Sequence, residues 1–387
     1  MARSDIVQKK FVKAINAESF IFLGILAICF TFLSRVMGLA NMFSTMMKTA
    51  HDLLLNTVFF IMAIAVLAGA FGAVLTEFGV VALINKILSP LMKPLYDMPG
   101  AASIGVITTY LSDNPAIITL AKDKGFTRYF KKYQIPALTN LGTAFGMGLI
   151  VTTFMIAQAP KGESFFLPAL IGNIGAIVGS IVSVRIMMHF TKKEYGTEMI
   201  VYEGEEGVDL TQYREIRSGS LFQRGLEAIL DGGKTGVEMG LSIIPGVIVI
   251  CTLVMMLTNV PKGGVYTGAA YEGVPVLPWL GSKINFILKP LLGFKSPEAI
   301  AFPITALGAV GAAIGLVPKF LQQGLIGANE IAVFTAMGMC WSGYLSTHVA
   351  MMDALESRQL TNKAILSHTI GGLVAGIVAH LLVMIFV

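Results

Sequence analysis

Stretches of about twenty mostly apolar residues recur along this chain, and they fix its solvent before any motif is considered. A membrane-spanning helix needs roughly 20 such residues. The runs 17–37, 54–82, 134–157, 164–190, 237–258, 330–352 and 364–387 all reach that length. Only 13% of the residues are charged and 55% are apolar, whereas a soluble domain carries about 25% charge. That balance leaves too little charge to cover a water-facing surface, so lipid is the expected solvent. The 41 glycines fit helices that approach closely in a bilayer. Cys29, Cys251 and Cys340 sit in separate apolar runs, form no CxxC pair and read as core residues. The net charge of +5 is what basic cytoplasmic loops produce, and it calls for no nucleic-acid partner.

The N-terminus has a basic start and then an apolar run reaching about Val36 without a small-residue cleavage site. It therefore reads as a first membrane helix with its N-terminus in the cytoplasm, not as a signal peptide.

Two further apolar segments, 98–121 and 297–318, are interrupted. The first is broken by Ser112-Asp113-Asn114-Pro115 and the second by Gly308-Ala-Val-Gly311. Pro115 cannot continue a helix through its own amide, and paired glycines break one cheaply. Positive charge then sets topology. Arg3, Lys9, Lys10 and Lys13 mark an inside tail. Lys122, Lys124, Arg128, Lys131 and Lys132 mark an inside loop. Lys192, Lys193, Arg214, Arg217 and Arg224 mark the long hydrophilic loop, which also holds an acidic stretch from Glu203 to Asp209. Arg358 and Lys363 mark the last inside loop. The loops at 158–163 and 259–279 carry one lysine each, Lys161 and Lys262, and read as outside; Lys283, Lys289 and Lys295 run against the rule. On this count 98–121 enters and leaves by the inner face, and 297–318 by the outer face. The expectation is seven spans and two re-entrant hairpins.

The chain also repeats itself. Ile84-Asn-Lys-Ile-Leu-Ser-Pro-Leu91 matches Ile284-Asn-Phe-Ile-Leu-Lys-Pro-Leu291, with the polar and proline positions included. Pro99-Gly-Ala101 matches Pro297-Glu-Ala299, and Gly175 and Gly179 match Gly372 and Gly376. Phe43 and Asp52 match Phe222 and Asp231 at the same spacing. Each unit runs: amphipathic lead-in, span, short interfacial helix, hairpin, span, span. Three spans are an odd number, which forces the second copy to be inverted. The fold expected is all-α and integral to the membrane, with an inverted repeat of three spans plus a re-entrant hairpin each, an extra N-terminal helix and two interfacial helices. The expected divisions are an N-terminal helix at 1–40, a first unit at 41–190, a cytoplasmic loop at 191–220 and a second unit at 221–387. Inverted repeats with broken helices are the architecture of secondary transporters.

This element order, together with the text LSPLMKPLYDMPGAASIGVITTYLSDNPAI, resembles the transport core of concentrative nucleoside transporters. The text is similar to the nucleoside-recognition or Gate domain, which also occurs in the membrane part of ferrous-iron transport proteins and in spore-maturation membrane proteins. The resemblance covers about 40–387. It implies a substrate site between the two hairpin tips and the broken helices that follow them, cation-coupled uptake by an elevator-like movement, and an oligomer, often a trimer. It also implies polar side chains on both hairpins. The second tip has none, which leaves open whether the solute is a nucleoside or another small polar molecule.

Candidate site residues follow from polarity at depth. A charge in the bilayer costs roughly 2.5–3.5 kcal/mol and so pairs or faces a wet cavity. Asp113 is expected to take a coupling cation, a proton or a donor group of the solute, with Ser112 and Asn114 beside it. An Asp or Asn before Pro also caps a helix start, and both roles fit one half-helix end. After the first hairpin come Thr139, Asn140 and Thr143. After the second come Ser342, Ser346 and Thr347, then His348, whose side chain titrates near neutrality. Serine and threonine in such helices equally serve as interhelical glue. Lys234, Glu238 and Glu77 read as interfacial.

No HExxH, GxSxG, P-loop or dinucleotide-binding GxGxxG is present, so no enzyme is expected. No cofactor and no metal site are expected beyond a coupling Na⁺ or H⁺. The reading is a secondary transporter of a small polar solute in the inner (plasma) membrane of a prokaryote. A non-transporting scaffold and a divalent-metal permease are the alternatives.

Overall fold

The computed structural model describes residues 13–201 and 208–387, with the side chains of Lys262 and Ser346 outside the description. Arg3, Lys9 and Lys10 of the basic tail fall outside it, as does the acidic stretch from Glu203 to Gly207. All the named elements among the described residues are helices, and the one β-bridge there, Lys131 with Ile200, belongs to no strand. Among the described residues, six helices are long and apolar enough to cross a membrane.

α1 (Ala17–Met37) starts at Asn16, whose side chain accepts from the Glu18 amide, and most of its apolar surface is exposed. α2 (Leu39–Asp52) runs through a π-helical turn at Leu53–Val58 into α3 (Phe59–Glu77), so that 39–77 is one long helix. α4 (Val80–Tyr96) is amphipathic and leaves Leu83, Ile87 and Leu91 exposed. α5 (Ala102–Leu111) and α6 (Ala116–Lys122) are the two arms of the first hairpin, broken at residues 112–115 as its sequence requires. The one-turn α7 (Lys124–Thr127), capped by Asp123, leads to α8 (Ala137–Thr143), α9 (Gly148–Ala157) and α10 (Phe166–Tyr195).

α11 (Leu221–Ser242) begins in a capping box of Ser220 and Gln223. It continues through a second π-helical turn at Gly246–Cys251 into α12 (Thr252–Met256). α13 (Val276–Leu292) is again amphipathic and exposes Leu280, Phe286, Ile287 and Leu291. α14 (Ala301–Gly308) and α15 (Val310–Gln322) are the arms of the second hairpin. α16 (Ala328–Trp341), α17 (Tyr344–Ala354) and α18 (Thr361–Phe386) complete the chain.

One expected span is corrected. The run 330–352 is not one helix but two, α16 and α17, parted at Ser342 and Gly343. Gly343 sits at φ +71 and donates its amide to the Ala306 carbonyl of the second hairpin at 3.0 Å. The tertiary bond thus replaces a helical one, and glycine supplies the left-handed conformation at little cost. The run 134–157 is also broken, between α8 and α9, with Met147 at φ +56.

Two helix pairs hold the structure together, and both rest on small residues. α3 packs along α11 so closely that a methyl group on Gly232 would lie 2.3 Å from the Gly69 carbonyl oxygen. One on Gly236 would lie 2.4 Å from that of Ala65. α10 and α18 cross in the same way at Gly179 and Gly371. With lipid tails as apolar as leucine, such backbone approach is what drives helix association.

The ends of α4 and α13 are both clamped. Asp97, left-handed at φ +57, ends α4 and pairs with Lys93 and with Lys192 of α10, the latter at 2.7 Å. Burial works against its charge, but the two lysines hold its carboxyl below the ordinary range. Gly293, at φ +66, ends α13; its carbonyl accepts from Asn329, whose own oxygen meets His380 of α18 at 2.7 Å. Glu77, expected at an interface, is 3% exposed and binds both Arg217 at 2.8 Å and Arg224 at 2.7 Å.

Candidate solute site

The first hairpin tip is built by side chains that stop one helix and start another. Ser112 donates back to the Thr108 carbonyl at 2.6 Å and ends α5. Asp113 then accepts from the Asn114 amide at 2.7 Å, turning the chain. Pro115 precedes α6 by one residue, where its missing amide costs nothing. The second tip has no such side chains. Ala309 is extended there, and no side chain caps the start of α15.

Each tip is tied to the helix break that follows it. The Met147 amide, between α8 and α9, donates to the Ser112 carbonyl at 3.2 Å. The Gly343 amide, between α16 and α17, donates to the Ala306 carbonyl. Two side chains then cross-link the halves. Asn114 donates to the Ser342 carbonyl at 3.2 Å and to the Thr347 hydroxyl at 3.1 Å. Ser342 donates to the Gly146 carbonyl at 3.2 Å.

Between these elements lies a cavity of about 270 Å³. Asp113, Asn114 and Met147 line it from one half of the chain, and Ser342, Gly343 and Thr347 from the other. The bare tip at Gly308–Ala312 and the start of the second π-helical turn close it. Its lining holds the Asp113 carboxylate and no lysine or arginine. Among the described residues Asp113 makes no ion pair, and the one hydrogen bond to its carboxylate is the local one from the Asn114 amide. Such a cavity offers a negative charge, an amide and three hydroxyls, those of Ser242, Ser342 and Thr347, against an apolar wall. It suits a small solute bearing hydrogen-bond donors or positive charge.

Of the residues expected at the site, Asp113, Asn114, Ser342 and Thr347 line this cavity. Ser112 sits at the tip, with its hydroxyl spent on α5 and its carbonyl on Met147. The side chain of Ser346 lies outside the described set. Thr139, Asn140 and Thr143 are fully buried and are not in the lining. Asn140 donates instead to Ser183 of α10 and to the Ala364 carbonyl of α18, both at 3.0 Å. His348 is also fully buried, its ring 4.8 Å from that of His368. The sequence reading missed Met147, Ser242, Gly246 and Gly343 as lining. Only Gly246, after Pro245, carried a local sign of irregular backbone. Among the described residues no cluster of three or more His, Cys, Asp or Glu forms that could hold a metal ion.

No family model matches the chain. An uncharacterized protein of Alkalihalophilus pseudofirmus is 24% identical over 287 residues, which cover 72% of this chain and 58% of that protein. The chain thus spans less than two thirds of the length of the curated relative it matches. Among solved structures, CNTnw in an inward-facing substrate-bound state superposes with a TM-score of 0.54 at 13% identity, covering 95% of this chain and 87% of that one. A doubly substituted CNTnw in an outward-facing state gives 0.54 at 14% identity, covering 96% and 87%. The chain has the fold of CNTnw, a concentrative nucleoside transporter.

Proposed function

We propose that this protein is a secondary transporter of a small polar solute, coupled to H⁺ or Na⁺, that works by an elevator-like alternating access. The carrying observation is the convergence of two hairpin tips and two helix breaks, drawn from both halves of the chain, on one cavity holding an unpaired carboxylate. A nucleoside or related metabolite is the favoured solute class, on the likeness to CNTnw. Asp113 is the residue that meets a donor group of the solute or the coupling cation, with Asn114, Ser342 and Thr347 completing the site.

Several features support the inverted repeat that such a mechanism needs. In both halves a long helix with a π-helical turn precedes an amphipathic helix that ends in a left-handed residue, Asp97 or Gly293. In both, a hairpin follows, and the next helix is broken where its amide reaches back to the hairpin. Equivalent helices pack on each other, α3 on α11 and α10 on α18, as elements related by a two-fold axis do. The units at 41–190 and 221–387, the re-entrant course of the hairpins, a cytoplasmic N-terminus, the inner membrane and a homo-oligomer belong to the same proposal.

Uptake into proteoliposomes tests it. The purified protein, reconstituted with an inward Na⁺ or H⁺ gradient, is expected to accumulate at least one labelled nucleoside or small polar metabolite, and the Asp113→Asn form is not. Equal accumulation by empty liposomes across a broad panel would remove the transport reading.

A further inference from the structure

Behind the α16–α17 break lies a second polar cluster, closed off from the solute cavity. His368 of α18 uses both ring nitrogens. Nε2 meets the Cys340 carbonyl at the end of α16, and Nδ1 meets the Ser183 hydroxyl at 2.9 Å. A carbonyl only accepts, so Nε2 carries the hydrogen. The Asn140 amide donates to Ser183, leaving the Ser183 hydroxyl to donate to Nδ1. Every position is filled, and His368 is held neutral in one tautomer.

Its neighbour is the opposite case. His348 of α17 is fully buried, and neither of its ring nitrogens has a hydrogen-bond partner. On the facing helix α8, the Thr139 hydroxyl and the Asn140 side-chain oxygen are also buried and unpartnered. Thr139 and Thr143 lie one turn apart on one face of α8, and Thr143 reaches Met351 of α17. Asn140 is joined through Ser183 and His368 to the His348 ring. Buried polar atoms are rarely left unpaired in native structures, and those that are point to a missing water or ion.

We propose that this seam is a proton-binding site, with His348 as the group that takes the proton. The inference rests on the transport reading and names its coupling ion. A neutral imidazole offers one donor and one acceptor; the imidazolium offers two donors. On α8, which packs against α17, the Asn140 oxygen and the Thr139 hydroxyl are acceptors without a partner, open to the imidazolium through a water. The titratable groups whose rings face His348 are His368 from α18 and Tyr344 from its own helix; Cys340 of α16 meets His368 through its carbonyl. α8 and α14 bring no titratable side chain, and Asp353 is exposed and turned to Arg358. No carboxylate balances the imidazolium, so its charge is costly while the seam stays closed. Proton binding is thereby linked to movement of α17, whose Thr347 holds the first hairpin through Asn114.

Trp341 stands at the break, and Trp279 is the only other tryptophan. With Trp279→Phe, the full chain in lipid nanodiscs reports the break through one indole and needs no solute. Acidification from about pH 8 to 5, the range in which histidine changes charge, is expected to shift its emission with one reversible midpoint. His348→Gln is expected to abolish that shift and Asp113→Asn to keep it. The proposal is overturned by a flat titration in the parent, by a shift that survives His348→Gln, or by one lost in Asp113→Asn. Should His348→Gln not fold, the triple replacement His51→Gln, His189→Gln, His380→Gln leaves only the buried pair of histidines and must retain the shift; its loss overturns the proposal equally. Because no solute is added, failure here leaves the transport reading standing.

Discussion

Asn114 and Ser342, 228 positions apart in sequence, are joined by a hydrogen bond from the Asn114 side chain to the Ser342 carbonyl at 3.2 Å. The same amide reaches Thr347. One 1% exposed side chain thus fixes the first hairpin against the break in the opposite half. Asn114→Ala removes both bonds and leaves a buried carbonyl without its donor. A cost of about 1–3 kcal/mol is expected, read as a lower midpoint of thermal unfolding in detergent. Thr347→Ala, which removes one of the two, is expected to cost less.

The α3–α11 seam leaves no room for a side chain at Gly236. Gly236→Leu would drive carbons into the Ala65 carbonyl and the Val66 backbone. Overpacking of this kind costs roughly 1–3 kcal/mol or more, and a large drop in folded yield on size-exclusion chromatography is expected. Gly24→Ala in α1 meets nothing within 4 Å and serves as the control, with yield unchanged.

The inverted repeat predicts that the loops after the two hairpins face opposite sides. In a form lacking Cys29, Cys251 and Cys340, Lys122→Cys and Gln323→Cys are both exposed positions. An impermeant thiol reagent added to intact cells is expected to label position 323 and spare position 122 until the cells are opened. Labelling of both from one side contradicts the inversion.

The long loop is held at Asp209. Its carboxyl accepts from the Thr211 hydroxyl at 2.6 Å and lies 3.2 Å from Arg128. Hydrogen bonds from Thr211 and Tyr129, with Arg128 nearby, pull its pKa down to about 2. A lowered pKa means that this group's contribution is complete above the unfolded value near ~3.9 and is lost as pH falls through about 2. Hydrogen exchange at Thr211 and Gln212, corrected for intrinsic rates, should therefore be flat from neutrality down to about pH 4. In Asp209→Asn it should be faster throughout.

The parts of this architecture that were legible in the sequence are those set by local chemistry. Long apolar runs gave α1, α3, α10 and α18, and Ser112-Asp113-Asn114-Pro115 marked a break because a carboxylate and a proline stand where lipid-facing residues would. The resemblance implies a broken helix after each hairpin, but the place of the break at Ser342 and Gly343 was hidden, because the run from Ile331 to Met352 is apolar enough to span. Tertiary bonds part it, from the Gly343 amide to the second hairpin and from Asn114 to the Ser342 carbonyl. Met147 was hidden for the same reason: a methionine gives no sign of a left-handed turn. Thr139 and Asn140 are solute-ligand candidates by polarity and helical spacing, and interhelical glue is the other role such residues take. Spacing gives a face but not the neighbour that face meets, and here the neighbours are α10, α17 and α18.

The most direct test of the central claim is stabilisation of the purified protein by solutes. A panel of nucleosides, related metabolites and small polar solutes, each with and without Na⁺ and at two pH values, is screened by thermal unfolding. At least one solute is expected to raise the midpoint, by an amount equivalent to about 2.7 kcal/mol at a hundredfold excess over its Kd. The Asp113→Asn form, folded by size-exclusion chromatography, is expected to lose that response. A panel without a hit, or a hit that Asp113→Asn leaves undiminished, would contradict the assignment of the cavity between the hairpin tips as the solute site.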